Sequence, residues 1–183
     1  GIDITPSFIE IGHKFNNLTS MSKKVSLQIG NGETLDFEDE AFDGGYSQHV
    51  TMNIQNRKDF FLEAFRVLKK GTFFAFSEHG LGPEGNPIFP LPWADTSEMS
   101  FLLSPESTIS LLKEIGFYDI QIIETSEKYI SSYEKMIDNK SKKDKPILGI
   151  HVIGGSTMKQ RSINSMKSIK EKRTLPFEIV CKK

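Results

Sequence analysis

Between Asp36 and His79 the chain reads as one strand-helix-strand unit, and no other stretch restricts the fold as much. Phe37 to Phe42 is an acidic turn, Asp43 to His49 a short strand, Arg57 to Leu68 a helix, and Thr72 to Ser77 a second strand. Two strands joined by a helix are parallel neighbours linked by a right-handed crossover. Phe60, Phe61, Ala64, Phe65 and Leu68 fall on one side of the helix, with Lys58, Asp59, Glu63, Lys69 and Lys70 left to water. Gly71 is expected to stop the helix. The strand that follows is nearly all apolar, the pattern of a strand covered on both faces. Ligands of open parallel sheets sit beyond the carboxyl ends of the strands, which directs attention to Ser47, Gln48 and His49 and to Ser77, Glu78 and His79.

The flanking chain fits the same plan. Gly1 to Thr5 reads as the end of a strand, entering a helix with Thr5 as N-cap and Pro6 at the first helical position. Phe8, Ile9, Ile11 and Phe15 give that helix a buried side, and Asn16 and Asn17 end it. Val25 to Ile29 alternates as a strand, with Gly30 to Glu33 as the turn at its carboxyl end. Gly80 to Pro92 holds four prolines and three glycines and is expected to loop over the sheet edge, anchored onward by Trp93 and Phe101. Ser104-Pro105 opens a further helix with Ile109, Leu112 and Ile115 inward and Gly116 as its stop. Tyr118 to Ile123 is the next strand, and Phe177 to Cys181 the last. The segment 127–173 between them is polar and helix-leaning, broken at Lys145-Pro146 and Gly154-Gly155, with Lys140 to Lys145 as a solvated connector.

At 183 residues the chain suits one domain, 1–183, with 127–173 as a helical insertion before the last strand. A net charge of -1, with no strand alternating basic and aromatic residues, argues against a nucleic-acid surface. A single cysteine, Cys181, excludes an internal disulfide. No apolar run approaches the ~20 residues that span a bilayer, and no signal peptide opens the chain. The expectation is a soluble cytoplasmic protein with no membrane partner. No metal-ligand motif stands out.

Taken together, GIDITPSFIEIG, GNGETLDFEDEAFD, YSQHVTMNI, FRVLKKGTFFAFSEH and PLPWADTSEMSFLLSPESTISLLKEIGF resemble, in order and spacing from Gly1 to about Ile123, the class I S-adenosylmethionine-dependent methyltransferases. The ubiquinone/menaquinone-biosynthesis and sarcosine/dimethylglycine groups are the most similar. The resemblance implies an α/β, Rossmann-like, doubly wound and mostly parallel sheet, with S-adenosylmethionine as cofactor and a small-molecule acceptor, an amine such as a glycine derivative among the candidates. It also implies that the first strand, the glycine-rich loop and the first helix of that fold are missing ahead of Asp3. The chain is then expected to be a truncated enzyme whose open sheet edges make it a homodimer or larger.

Asp3 ends a strand where a carboxylate can accept bonds from both ribose hydroxyls; the alternative is a helix-capping aspartate. By resemblance Ile4 packs on adenine. Asn31 can meet the adenine amino group through its carbonyl, or serve only the Gly30-Asn31-Gly32 turn, and the Gly32 amide suits an adenine ring nitrogen. Ser47 and Gln48 lie where the methionine half of the cofactor is expected. His49 is the candidate proton acceptor, or a structural histidine. Glu78, His79 and Trp93 are candidates for the acceptor pocket, Glu78 for a cationic amine and Trp93 for the face of a methylated ammonium.

Gly80-Leu-Gly82-Pro-Glu-Gly85 matches a dinucleotide fingerprint, but the proline-rich segment after it leaves no helix to receive a phosphate, so the motif is set aside. That also disfavours a nicotinamide-dependent dehydrogenase. A non-catalytic interaction module on the same remnant sheet stays open as the competing class.

Overall fold

The protein is described here by a computed structural model covering residues 1–138 and 157–183. The expected connector Lys140 to Lys145 and the breaks at Lys145-Pro146 and Gly154-Gly155 lie outside the described residues. In chain order the elements are β1 (Ile2–Asp3), α1 (Pro6–Leu18), β2 (Gln28–Ile29), β3 (Gly45–Gln48), α2 (Arg57–Val67), β4 (Phe73–Leu81), α3 (Pro105–Ile115), β5 (Tyr118–Glu124), α4 (Ser126–Asp138), α5 (Met158–Lys170) and β6 (Thr174–Lys182). β1 and β2 pair in parallel as a small sheet of their own. The larger sheet has the order β3-β4-β6-β5. Only β6 is reversed in it, so β3, β4 and β5 share one direction and the sheet is mostly parallel, as expected.

The central crossover holds because α2 and α3 cover one face of this sheet. Phe60, Phe61, Ala64 and Leu68 meet Phe74 and Phe76 of β4, Phe177, Ile179 and Cys181 of β6, and Leu112 and Phe117. Alternate residues of β4 and β6 supply these contacts, as a pleated strand requires. α3 begins at Ser104, whose Oγ accepts from the Ser107 amide at 3.2 Å, and ends at Gly116 in the left-handed region at φ 118°, matching its expected cap and stop.

Several expectations shift. β2 is two residues long rather than five. α2 ends at Val67 with Leu68 already extended, and Gly71, at φ 76°, turns the chain after it. β4 runs on to Leu81 instead of Ser77, because its whole nine-residue length is paired with β6. Nor is β4 covered on both faces: Phe73 is 52% exposed, and its neighbour on that face, Tyr46, is 79% exposed. Helices on both faces are thus present only in part, since α4 and α5 pack beside β6 while this end of the second face stays open.

The largest correction is α1. Of Phe8, Ile9, Ile11 and Phe15, only Ile9 is buried; Phe8 is 60% and Phe15 61% exposed. α1 rests on β1 and β2, a platform two short strands wide, which leaves Ile4, Phe8, Ile11, Phe15 and Leu18 as an uncovered apolar stripe at helical spacing. The set-aside glycine motif also finds its explanation. A Cβ at Gly80 would lie 2.6 Å from the Phe177 ring, and one at Gly82 would collide with the Lys172 carbonyl, so these glycines let β4 approach the start of β6. No helix of the described residues is long and apolar enough to cross a membrane.

Phe61 is fully buried and packs edge-on to Phe60 and Phe74. Phe61→Ala is expected to lower stability by ~3–5 kcal/mol, whereas Phe15→Ala on the open stripe should change it by less than about 0.5 kcal/mol. Urea denaturation of both variants checks the contrast, and equal losses would mean that α1 is covered after all.

Candidate functional site

The carboxyl ends of the parallel strands carry the candidate residues in two groups. In the first, Asp3 is paired in register with Ile29, and its carbonyl accepts from the Gly30 amide at 3.1 Å, so Asp3 stands beside the turn that follows β2. One carboxylate oxygen of Asp3 accepts from the Thr5 amide at 2.8 Å, the capping bond that the helix start needs. The other has no partner among the described residues. Asn31 Oδ1 accepts from the Glu33 amide at 3.0 Å, so the oxygen expected to meet adenine already serves the turn. Gly32 is required by packing, because a Cβ there would lie 2.7 Å from the Phe60 ring of α2. The Ile4 side chain is exposed.

The second group lies where β3 and β4 end. Ser47 is half-buried and Gln48 exposed, paired in register with Phe76 and Ser77 respectively. His49 donates its amide to the Ser77 carbonyl at 2.9 Å and adopts φ 53°, a left-handed conformation that costs a non-glycine residue energy. Its ring is turned to α4, where Nε2 lies 2.8 Å from the Tyr129 hydroxyl. His79 is buried and stacks on Trp93 with ring centroids 4.6 Å apart, while Tyr129 meets it edge-on at 4.9 Å. The two histidine rings are 5.8 Å apart. His79 Nδ1 is buried without a hydrogen-bond partner. Burial, helped by His49, pulls the His79 pKa down to about 3, and partial burial of the His49 ring lowers its pKa from the usual value. Both imidazoles are therefore neutral at neutral pH. Trp93 is fixed at its other end by donating Nε1–H to Ser100 Oγ at 3.0 Å.

Glu78 is not part of this group, which corrects its expected place beside His79. Successive strand residues face opposite sides, so His79 points to the ring cluster and Glu78 to the α2 side. There it is fully buried, accepting from Arg57 Nη1 at 2.9 Å and from the Thr51 hydroxyl. Arg57 Nη2 also donates to the Phe101 carbonyl at 2.6 Å. Burial pushes the Glu78 carboxyl up to about 7 against the pull of Arg57. A carboxylate so enclosed cannot pair with a substrate cation. The sequence reading missed both Arg57, the first residue of α2, and Tyr129. The available signal for the latter was Tyr129 and Tyr133 at helical spacing in an otherwise polar segment.

No strand pairing joins the two groups among the described residues, and no set of three or more His, Cys, Asp or Glu side chains there could hold a metal ion. What the arrangement offers is a carboxylate and a turn at one end, and neutral hydrogen-bonding rings at the other.

Residues 1–76 match the family model described as a methyltransferase domain. The ubiquinone/menaquinone biosynthesis C-methyltransferase of Nitrobacter hamburgensis is 36% identical over 72 residues, which are 39% of this chain and 28% of that protein. Among solved structures, a candidate sarcosine dimethylglycine methyltransferase from Galdieria sulphuraria superposes with a TM-score of 0.79 at 16% identity, over 99% of this chain and 68% of that one. The phosphoethanolamine N-methyltransferase 2 of Haemonchus contortus, solved with phosphomonomethylethanolamine and S-adenosylhomocysteine, gives 0.78 at 15%, over 100% and 43%. The chain spans 18%, 43% and 63% of the length of three curated relatives that it matches.

Removing Arg57 should leave Glu78 buried without its counter-charge. Arg57→Leu is expected to cost ~3–5 kcal/mol in urea denaturation, and the double variant Arg57→Leu/Glu78→Leu to recover most of it. A double variant as unstable as the single would show that the pair is not coupled.

Proposed function

We propose, from the match of residues 1–76 to the methyltransferase-domain model and from the relatives and fold that the chain resembles, that the protein is a class I S-adenosylmethionine-dependent methyltransferase that transfers a methyl group to a small-molecule acceptor. The observation that carries this reading is Asp3. It ends a strand beside the Asn31-Gly32 turn and keeps one carboxylate oxygen without a partner among the described residues, the donor-hungry group that a ribose diol satisfies. The cofactor supplies an electrophilic methyl group on a sulfonium. In this assignment Asp3 holds the ribose, the exposed Ile4 packs on adenine, the Gly32 amide meets an adenine ring nitrogen, and Ser47 and Gln48 serve the methionine half. Asn31 meets the adenine amino group through its oxygen, which accepts from Glu33 and has a second lone pair. His49 handles the proton, and His79 and Trp93 wall the acceptor side. Displacement at a sulfonium methyl needs alignment and desolvation first, which stacked, neutral rings provide. The case for an amine acceptor rested on the resemblance, on Trp93 and on Glu78, and of these the Glu78 carboxylate is spent on Arg57.

The competing reading, an interaction module on the same fold, draws support from the open stripe of α1 and the open sheet face at Tyr46 and Phe73. Contiguous exposed apolar surface marks association, and β1 and β3 each present an edge unpaired among the described residues. Self-association through these surfaces is compatible with catalysis. Light scattering is expected to report a dimer or larger, and Phe8→Ser/Phe15→Ser to shift it toward monomer; a wild-type monomer would refute association.

For the cofactor site, calorimetric titration with S-adenosylhomocysteine is the direct test. Asp3→Ala should weaken binding by ~1.5–3 kcal/mol, the cost of losing a charge-assisted bond. Unchanged affinity would remove Asp3 from the site.

A further inference from the structure

The bond between His49 and Tyr129 ties the end of β3 to α4, two places 80 residues apart in sequence. We propose that Tyr129 and His49 act as one proton acceptor for a hydroxyl-bearing methyl acceptor, with Tyr129 as the group that touches the substrate; this rests on the methyltransferase reading above.

Three observations carry it. The first is the bond itself, at 2.8 Å, a normal length for a phenol donating to an imidazole nitrogen. Burial, with Tyr133 and Glu178 adding to it, pushes the Tyr129 phenol up to about 12, so the phenol keeps its proton and the neutral imidazole accepts through Nε2. The second is the backbone of His49, held at φ 53° and pinned by its amide to Ser77. A strained residue at a strand end that still forms a directed side-chain bond is a marker of a site. The third is the surroundings. His79, closed between Trp93 and Tyr129, stays uncharged, so no cation opposes protonation of His49. The titratable groups facing the pair are His79 from β4, beside the His49 ring, and Tyr133 from α4 and Glu178 from β6, which act on the Tyr129 phenol.

The cluster has no carboxylate hydrogen-bonded to it, since Glu78 points to the other face. It is built to take a proton rather than to pair with an ammonium, which selects a hydroxyl as the nucleophile. The acceptor oxygen forms its bond to the methyl carbon as the carbon–sulfur bond breaks and sulfur keeps the electron pair. The hydroxyl proton passes to Tyr129 Oη while the tyrosine proton passes to His49 Nε2. The imidazolium then loses its proton to water.

Three measurements decide the matter. In the chain without cofactor, nitrogen-detected NMR of the imidazoles is expected to show His49 as a single tautomer protonated at Nδ1, and Tyr129→Phe to populate both tautomers; a mixed wild-type tautomer would overturn the pair. Calorimetry with S-adenosylhomocysteine should give equal affinities for wild type and Tyr129→Phe. With catechol as the probe acceptor, kcat/KM should fall on the acid side with an apparent pKa below 6.5. Tyr129→Phe should lower kcat by about tenfold or more, and His49→Gln should abolish the acid limb. Failure of the wild type to bind S-adenosylhomocysteine would overturn the methyltransferase reading and this step with it. Binding without methylation of catechol, or undiminished kcat in Tyr129→Phe, would overturn this inference alone.

Discussion

The pair Arg57–Glu78 is the interaction on which the site's geometry depends. It is enclosed on all sides, with side chains 3% and 0% exposed, and joins the start of α2 to the second half of β4. The Thr51 hydroxyl and the Phe101 carbonyl add to it, from the turn after β3 and from the segment leading to α3. Four parts of the chain are thus held at one point directly behind the strand ends. Enclosure of opposite charges contributes little net stability, since desolvation offsets attraction. What it supplies is position: an arginine with its donors directed to one carboxylate and one carbonyl tolerates little displacement. Displacing the turn that follows His49 would leave a buried charge unsatisfied.

Strand parity converts this lock into a site. Along β4, Phe74, Phe76 and Glu78 face α2, and Phe73, Ala75, Ser77 and His79 face the other way. The lock and the ring cluster therefore sit back to back on adjacent residues of one strand. Glu78 must be buried for His79 to be presented, and a shift of one residue would exchange an enclosed carboxylate for an imidazole. The antiparallel pairing of β4 with β6 fixes the register over nine residues, and the lack of side chains at Gly80 and Gly82 allows the approach of the chain before β6.

Where hydrophobic period and punctuation speak to the same element, the sequence was readable. The inner face of α2, the caps of α3 and the direction of β3 and β4 follow from residues such as Phe60, Phe61, Ser104 and Gly116. The open side of α1 was not readable, because Phe8, Ile11 and Phe15 form the same stripe whether or not an element covers them. Periodicity identifies a face and not its partner. Residue type misplaced Glu78, since a serine, an acid and a histidine in a row at a strand end look alike until pleat assigns each to a side. Tyr129 shows in the sequence only through its helical spacing to Tyr133; its partner is 80 positions away, and nothing in a single chain relates the two.

The placement of these groups separates two tasks along the chain. Asp3, Asn31, Ser47 and His49 all fall within residues 1–76, the segment that matches the methyltransferase domain. His79, Trp93 and Tyr129 lie beyond it. The groups proposed for the cofactor sit on the ends of short strands and the turns that follow, so strand pairing fixes their positions. Acceptor-side groups come from the end of β4, a proline-rich loop and a helix packed late in the chain, and their positions are fixed by ring contacts, such as Trp93 on His79, that can be exchanged without disturbing the sheet. A fold arranged in this way can hold one cofactor while its acceptor changes with the loop and the helix. The proposed proton acceptor bridges the two parts, with His49 supplied by the end of β3 and Tyr129 by α4, so in that proposal the acceptor's chemistry is set where the two meet.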